Sequence, residues 1–376
     1  MKFVISTQEL NYLIGKLLNV IPQKPAVPIL SNILIEARNG ELILTATDLT
    51  VGIRCFTEAK ILAEGATTLP AKRFAQLVRE LTAVNVEITT NQNEVTDIVA
   101  GSSKFKMHGM NTSEYPSLPD MRDAQQLRFS EAELKEMFLR TSFAVSREDN
   151  RYVLTGVYLN VEDGNATFIG TDGKRLARTF KTIPGESPAN GSYIVPLKAV
   201  EEITKNLSNE DNEATIFLMD DKIAVQSSDS IIVSKLLTGE YPDVNRVIPD
   251  QPDTIVSLHR EELTSLLKQI SLFTAQTTHS VRFTFTDGEL MLTANTMDVG
   301  EGVVKMPVNY HGDKFEIAFN PNYFLDILRH GKSETVKMGL IDAFNPGVIT
   351  DEDQEPVVAS GPSPLYVLMP MRLGEE

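Results

Sequence analysis

ISTQELNYLIGKLL (residues 5–18), RFSEAELKEMFLRT (128–141) and VSLHREELTSLLKQI (256–270) follow one pattern. Each begins with β-type residues, then reads Glu-Leu, then places apolar residues at helical spacing. In the first copy Leu10, Leu13, Ile14, Leu17 and Leu18 form the i, i+3, i+4, i+7, i+8 stripe of an amphipathic helix. Leu134, Met137 and Phe138 begin the same stripe in the second copy, and Leu263, Leu266, Leu267 and Ile270 do so in the third. Ser6 with Glu9 and Ser130 with Glu133 make S-x-x-E boxes, in which side chains satisfy the free N–H groups of a first helical turn. The third copy has His259 at that position, so its start is expected to be weaker. The Leu anchors at 10, 134 and 263 are 124 and 129 residues apart.

Other markers keep the period. TTLPAKRFAQLVREL, YIVPLKAVEEITKNL and EIAFNPNYFLDILRH each run strand, proline, helix, and their prolines (Pro70, Pro196 and Pro321) are 126 and 125 apart. NGELILTATD, DGNATFIGTD and DGELMLTANT place Thr47, Thr171 and Asn295 at intervals of 124. EYPSLP and EYPDVNRVIP close the first two copies, and LMPMRL ends the last. Between the helices run alternating apolar and polar stretches such as VEITTNQNEVTDIVA and ATIFLMDDKIAVQSS, which are the pattern of half-exposed antiparallel strands. The expected fold class is α+β. Three tandem domains, residues 1–124, 125–252 and 253–376, each carry two helices and about eight antiparallel strands. The Pro- and Asp-rich PSLPDMRDAQQ and VIPDQPDT suit the linkers. Equivalent tandem units close into a ring when the rotation per unit permits. The periodicity is equally compatible with a compact three-domain protein without a hole.

Composition narrows the function. The net charge of −16, from 35 basic and 51 acidic residues, excludes a uniformly basic wrapping surface for DNA, though not a local one. Read together, six helix windows (7–19, 71–83, 130–142, 197–208, 259–272 and 321–332) carry 0, +2, −1, 0, 0 and +1, so they are the least acidic part of the chain. The single Cys55 excludes an internal disulfide framework and fits a reducing cytoplasm. The five histidines show no zinc spacing, so no metal or other cofactor is expected. No apolar run is long enough to span a membrane, and MKFVISTQEL turns polar too early for a secretory signal. GTDGKRLA (170–177) is not a phosphate loop, because Phe168 stands where the first Gly belongs and Arg175 replaces the Ser/Thr. With no nucleophile elbow and no H-E-x-x-H, the chain reads as non-catalytic.

Across its whole length the sequence resembles the β subunit of bacterial DNA polymerase III, the sliding clamp family. The resemblance is carried by the MKF start, NGELILTATDL, FAVSREDNRYVLTGV, GTDGKRLA, EYPDVNRVIP and the terminal YVLMPMRL. It implies half of a closed ring: a homodimer of three-domain subunits that encircles double-stranded DNA without sequence specificity. The implied partners are a clamp-loading ATPase and polymerases or repair proteins carrying short apolar peptides. The implied peptide cleft comprises Leu154, Thr171, Gly173, Arg175, Leu176, Pro242, Arg246, Val247, Phe344, Pro346, Val367, Met369, Pro370, Met371, Arg372 and Leu373. The bland alternative for LMPMRL is a last edge strand packed into its own domain. Lys174 stands where some members have histidine and is assigned no role. The cations available to face DNA are Lys72, Arg73, Arg79, Lys198, Lys205, Arg329 and Lys332, and the resemblance adds Lys24, Arg147 and Tyr152. It places Phe105 and Met107 against Leu272 and Phe273 of a second copy at the ring interface. A repeat-built protein scaffold that does not encircle DNA is the competing function.

Overall fold

The computed structural model describes residues 1–91, 93–183, 190–249, 252–275, 277–351 and 364–372. Six α-helices appear where the stripes place them: α1 (Thr7–Leu17), α2 (Ala71–Glu80), α3 (Glu131–Ser142), α4 (Leu197–Asn206), α5 (Arg260–Ser271) and α6 (Pro321–His330). The caps are the expected ones. Ser6 Oγ accepts from the Glu9 amide at 3.1 Å, and Ser130 and Glu133 exchange bonds of 3.2 and 3.1 Å. The third start is better capped than its sequence suggests, because His259 Nδ1 accepts from the Glu262 amide at 3.2 Å in place of a hydroxyl. Leu10, Leu13, Ile14, Leu17, Phe74, Leu134, Phe138, Leu263, Leu267 and Phe324 are all essentially buried. Each such side chain contributes roughly 1.5–3 kcal/mol of transfer free energy. Leu18 and Leu266, at the stripe edges, are half-buried.

The chain contacts group into two compact units, and the second repeat is divided between them. The described part of the first unit is residues 1–91, 93–135 and 198–236. It holds a five-stranded antiparallel sheet in the order Lys60–Ala63, Lys2–Ser6, Asn85–Thr90, Val95–Ala100, Ser103–His108. Its eight-stranded sheet runs Gln125–Ser130, Glu213–Leu218, Lys222–Gln226, Ser230–Lys235, Val51–Glu58, Glu41–Thr47, Asn32–Arg38, Gly65–Pro70. Four strands of the second repeat thus join four of the first, across the pairs Ser230↔Cys55 to Ser234↔Val51.

The second unit repeats the plan. Its eight-stranded sheet runs Gly191–Pro196, Gly156–Glu162, Asn165–Thr171, Arg175–Thr182, Leu365–Leu368, Gly347–Asp351, Thr335–Leu340, Thr254–His259. Here four strands of the second repeat join four of the third, from Arg175↔Leu368 to Arg178↔Leu365. A four-stranded sheet (Gly300–Pro307, Glu289–Thr296, Val281–Thr286, Phe315–Phe319) completes the third repeat. Phe283 lies at the centre of this core, edge-on to Phe319 at 5.4 Å and stacked on Phe324 at 5.5 Å.

One buried carboxylate fastens the second-repeat portion of the first unit. Glu131, 1% exposed, accepts the Ser208 amide at 2.7 Å and the Ser228 amide at 3.2 Å. Burial raises its pKa, but the combined hydrogen bonds from Ser208 and Ser228 outweigh this and hold the carboxyl below its ordinary value. Glu131→Ala should destabilise the chain by on the order of 1–3 kcal/mol in urea unfolding, since two enclosed amides lose their acceptor. Glu131→Gln, which keeps one acceptor oxygen, should cost less. Because the folded-state pKa is lowered, this stabilisation is present at neutral pH and is lost as pH falls through the carboxylate range. The loss should be absent in Glu131→Gln, and equal acid sensitivity of both proteins would contradict the assignment.

Candidate protein-binding cleft

The turn between Asn165–Thr171 and Arg175–Thr182 is built by two side chains. Thr171 Oγ1 donates to the Arg175 carbonyl at 2.7 Å and accepts from the Gly173 amide at 3.1 Å. Asp172 Oδ1 accepts from the amides of Lys174 and Arg175 at 2.9 and 3.0 Å. The first repeat contains the same turn. Thr47 Oγ1 donates to Val51 and accepts from Leu49, both at 3.0 Å, while Asp48 Oδ1 accepts from Thr50 and Val51. The third position is left-handed in both, with φ of 81° at Gly173 and 74° at Leu49. A leucine therefore tolerates this backbone, so the backbone alone does not require glycine at 173. The requirement comes from Arg151, whose Nη1 donates to the Asp172 carbonyl at 2.6 Å and lies 2.5 Å from where a Cβ on Gly173 would stand.

Beside this turn lies an apolar cleft of about 200 Å³, lined by Leu154, Thr171, Gly173, Arg175, Leu176, Pro242, Asp243, Val244, Val247, Val367 and Met369. Its floor belongs to a buried cluster of Ile169, Leu176, Val244, Ile248, Val348, Leu365 and Val367, flanked by the stacked rings of Tyr158 and Tyr241. Val247 and Met369 stay 42% and 38% exposed, so apolar surface remains open to a partner at the rim. The closing segment is tied down by backbone bonds. The Met369 amide donates to the Lys174 carbonyl at 2.9 Å, and the Met371 amide donates to Ala318 at 2.7 Å.

Nine of the expected cleft residues thus meet, from Leu154 to Met369, and the structure adds Asp243 and Val244. Val244 follows EYP within a 3-10 turn, Val244–Val247, so its inward face carries no strand or α-helix periodicity to announce it. Arg246 is exposed and pairs with Asp243 at 3.0 Å. Phe344 is 85% exposed, its amide held by Asp342 at 2.7 Å, and neither it nor Pro346 lines the cleft. Pro370, Met371 and Arg372 also lie outside the lining, and Leu373 falls outside the described residues. Tyr152 borders a depression of about 560 Å³ adjoining the cleft, together with Arg151, Leu154 and Pro242.

The cations divide into two sets. Lys24, Lys72, Arg73, Arg79 and Arg147 are exposed and form no ion pair among the described residues. Lys198 pairs with Asp48, Lys205 with Glu202, Arg329 with Asp326 and Lys332 with Glu136. Of the residues expected at a ring interface, Phe105 (39% exposed) stands on the edge strand Ser103–His108 with Met107, and Leu272 is 73% exposed. Phe273 packs against the third-repeat core, where Gly302 leaves it room. No cluster of three metal-ligating side chains occurs among the described residues, and no helix there is long and apolar enough to cross a membrane.

Tandem clamp domains with an open apolar cleft beside the chain's closing strand define a class of replication proteins. Residues 1–119, 128–243 and 245–372 match the N-terminal, central and C-terminal domains of the DNA polymerase III β subunit. The chain is 50% identical to the beta sliding clamp of Chlamydia muridarum over 376 residues, all of both chains. It is 32% identical to that of Escherichia coli K12, over 99% of this chain and 100% of the other. A Pseudomonas aeruginosa sliding clamp bound to griselimycin superposes with a TM-score of 0.93 at 27% identity, covering 99% and 100% of the two chains. The chain belongs to the DNA polymerase III β subunit family, the bacterial DNA sliding clamps, which are processivity subunits and not enzymes.

The Gly173 argument is directly measurable. Gly173→Ala should cost about 1–2 kcal/mol in urea unfolding, from left-handed strain plus displacement of the Arg151 guanidinium. In an Arg151→Ala background the same substitution should cost clearly less. Equal costs in the two backgrounds would remove Arg151 as the reason for glycine.

Proposed function

We propose that two copies of this chain form a head-to-tail ring around duplex DNA and present the cleft at Gly173, Leu176, Val247 and Met369 to short apolar peptides of polymerases and repair proteins. The observation that carries the peptide reading is the exposed apolar rim over a preformed floor. The domains of this reading are 1–124, 125–252 and 253–376, a clamp-loading ATPase opens the ring, and the protein acts in the cytoplasm at the nucleoid. Arg246, Phe344, Pro346, Pro370, Met371 and Arg372 belong to a wider docking surface around the cleft.

The ring reading draws on two open sheet edges. Ser103–His108 ends the five-stranded sheet and carries Lys104, Phe105 and Lys106. Gly300–Pro307 ends the four-stranded sheet and carries Glu301, with Val299 and Val303 58% and 49% exposed. Unpaired edges of this kind need covering, and each presents exposed apolar side chains, Phe105 on one and Val303 on the other, while the second also carries Lys305 as well as Glu301. Light scattering at micromolar concentration should give twice the 41.6 kDa chain mass. Phe105→Ala with Leu272→Ala should give a folded monomer; Phe273 is left intact because it is half-buried against the third-repeat core. Loaded on nicked circular DNA, the protein should persist at salt that strips ordinary phosphate contacts and leave once the circle is cut. Equal retention on circular and linear DNA would rule out encirclement.

The cleft is probed with griselimycin, the ligand in the Pseudomonas aeruginosa clamp structure. Val247→Ala with Met369→Ala removes both exposed rim side chains without touching a backbone bond. Affinity should fall at least about tenfold with dimer mass unchanged, since a few apolar anchors dominate such contacts. Unchanged affinity would place the binding elsewhere.

A further inference from the structure

The one cation lining the cleft among the described residues is held from several sides. Arg175, its side chain 10% exposed, donates through Nη1 to Asp326 Oδ2 at 2.6 Å, through Nη2 to the Phe143 carbonyl at 2.9 Å, and through Nε to Asp172 Oδ2 at 3.3 Å. Its guanidinium also lies over the rings of Tyr323, at 4.6 Å, and Phe143, at 5.4 Å. Such an arginine is wall material: its donors point into the protein rather than toward an incoming peptide. Asp326 is not its alone. The other oxygen, Oδ1, accepts from Nη1 of Arg329 at 3.0 Å, one turn along α6. The two arms differ in environment, since Arg329 is 64% exposed and Arg175 is nearly enclosed. A backbone link reinforces the arrangement. His330 Nδ1 meets the Asp326 carbonyl at 2.8 Å, and the His330 ring stacks on Phe143 at 4.3 Å. The segment that anchors Arg175 Nη2 is therefore bound to the same helix turn that supplies Asp326.

Resting on the cleft reading above, we propose that Asp326 is a positioning residue for the cleft, its carboxylate shared between Arg175 in the wall and Arg329 on the exposed face of α6. One negative charge serves two guanidinium groups. Drawing Arg329 toward an outside anion, such as a DNA phosphate, leaves the carboxylate undivided for Arg175 and firms the wall. Coupling of this kind is reciprocal, so an occupied cleft also releases Arg329. The exposed arm is screened by solvent, so the effect on affinity is modest.

The test measures griselimycin affinity in the full chain. Arg329→Ala should tighten binding about two- to fivefold. Asp326→Asn should weaken it at least about tenfold, because a largely buried cation loses the nearer of its two carboxylates and keeps only Asp172, and Asp326→Glu should recover part of the loss. In the Asp326→Asn background Arg329→Ala should do nothing, a result that generalised damage to the helix would not produce. An Arg329→Ala protein with unaltered affinity, or one whose effect persists without Asp326, overturns the sharing. A short DNA duplex should reproduce the tightening in the unmodified chain but not in Arg329→Ala. If the substitution tightens the cleft while DNA does not, the sharing stands and the DNA-facing role of Arg329 is what fails. If griselimycin does not bind the unmodified chain, the cleft reading fails. The sharing is then decided by the ¹⁵N resonance of Arg175 Nη1, the atom that meets Asp326, which should shift in Arg329→Ala and whose constancy overturns it.

Discussion

The antiparallel pairing of Leu365–Leu368 with Arg175–Thr182 is the constraint on which the second unit depends. Side chains on a strand alternate between faces, and this strand uses both. Leu365 and Val367 enter the cluster beneath the cleft with Leu176, whereas Tyr366 and Leu368 enter the third-repeat core with Phe283 and Phe319. A slip of one residue would exchange the two sets, placing Tyr366 under the cleft and Leu365 in the other core. Register is therefore fixed by two cores at once. Met369 reaches the rim because the next backbone bond, to Lys174, continues the same ladder past the end of the regular strand.

An equivalent seam exists in the first unit, and the contrast shows what makes a cleft. Lys235 donates to Thr50 at 2.9 Å as Met369 donates to Lys174, and the Thr-Asp turn carries the same four side-chain bonds. The side chains on this common backbone differ. Gly173 corresponds to Leu49, Leu176 to Gly52, and Met369 to Lys235. Leu118 lies so close to Gly52 that a Cβ there would stand 2.7 Å from its Cδ2. The first-repeat copy thus has a leucine and a lysine where the second-unit copy has a glycine and a methionine. A few side-chain differences on a duplicated frame thus separate the turn beside the apolar cleft from its first-repeat copy.

That duplication is why so much was legible beforehand. Helical stripes, capping boxes and the recurring prolines fix α1 to α6 from local chemistry, and a pattern seen three times is hard to misread. The sequence period does not, however, coincide with the contact units. Repeats are counted along the chain, whereas sheets form across repeat boundaries, and nothing local in Ser230–Lys235 announces that its neighbour is Val51–Glu58. The cleft was legible through resemblance in its turn and its closing strand. Val244 and Arg151 were not: Val244 lies in a short 3-10 turn without period, and Arg151 acts through a carbonyl bond. The partial burial of Phe273 was not legible for a similar reason, because an apolar pair ending a helix looks exposed until Gly302 is seen to make room.

Charge, too, is organised beyond what counting residues reveals. The windows around the six helices carry only a small positive balance within a chain of −16. In the structure Lys198, Lys205, Arg329 and Lys332 face carboxylates, so these four cations are not free. Lys72, Arg73 and Arg79, all on α2 and exposed, are left as the densest group without ion pairs among the described residues. A protein that held DNA by phosphate contacts alone would need many more free cations, each replacing a counterion and each steepening the dependence on salt. One that holds DNA by enclosing it needs only enough attraction to stay centred, and strong contacts would oppose its motion along the duplex. Pairing several of the helix cations internally keeps the attraction weak and local, while the acidic balance of the rest of the chain disfavours DNA elsewhere. In the proposed ring, a net charge that at first argues against a DNA protein becomes a condition for a mobile one.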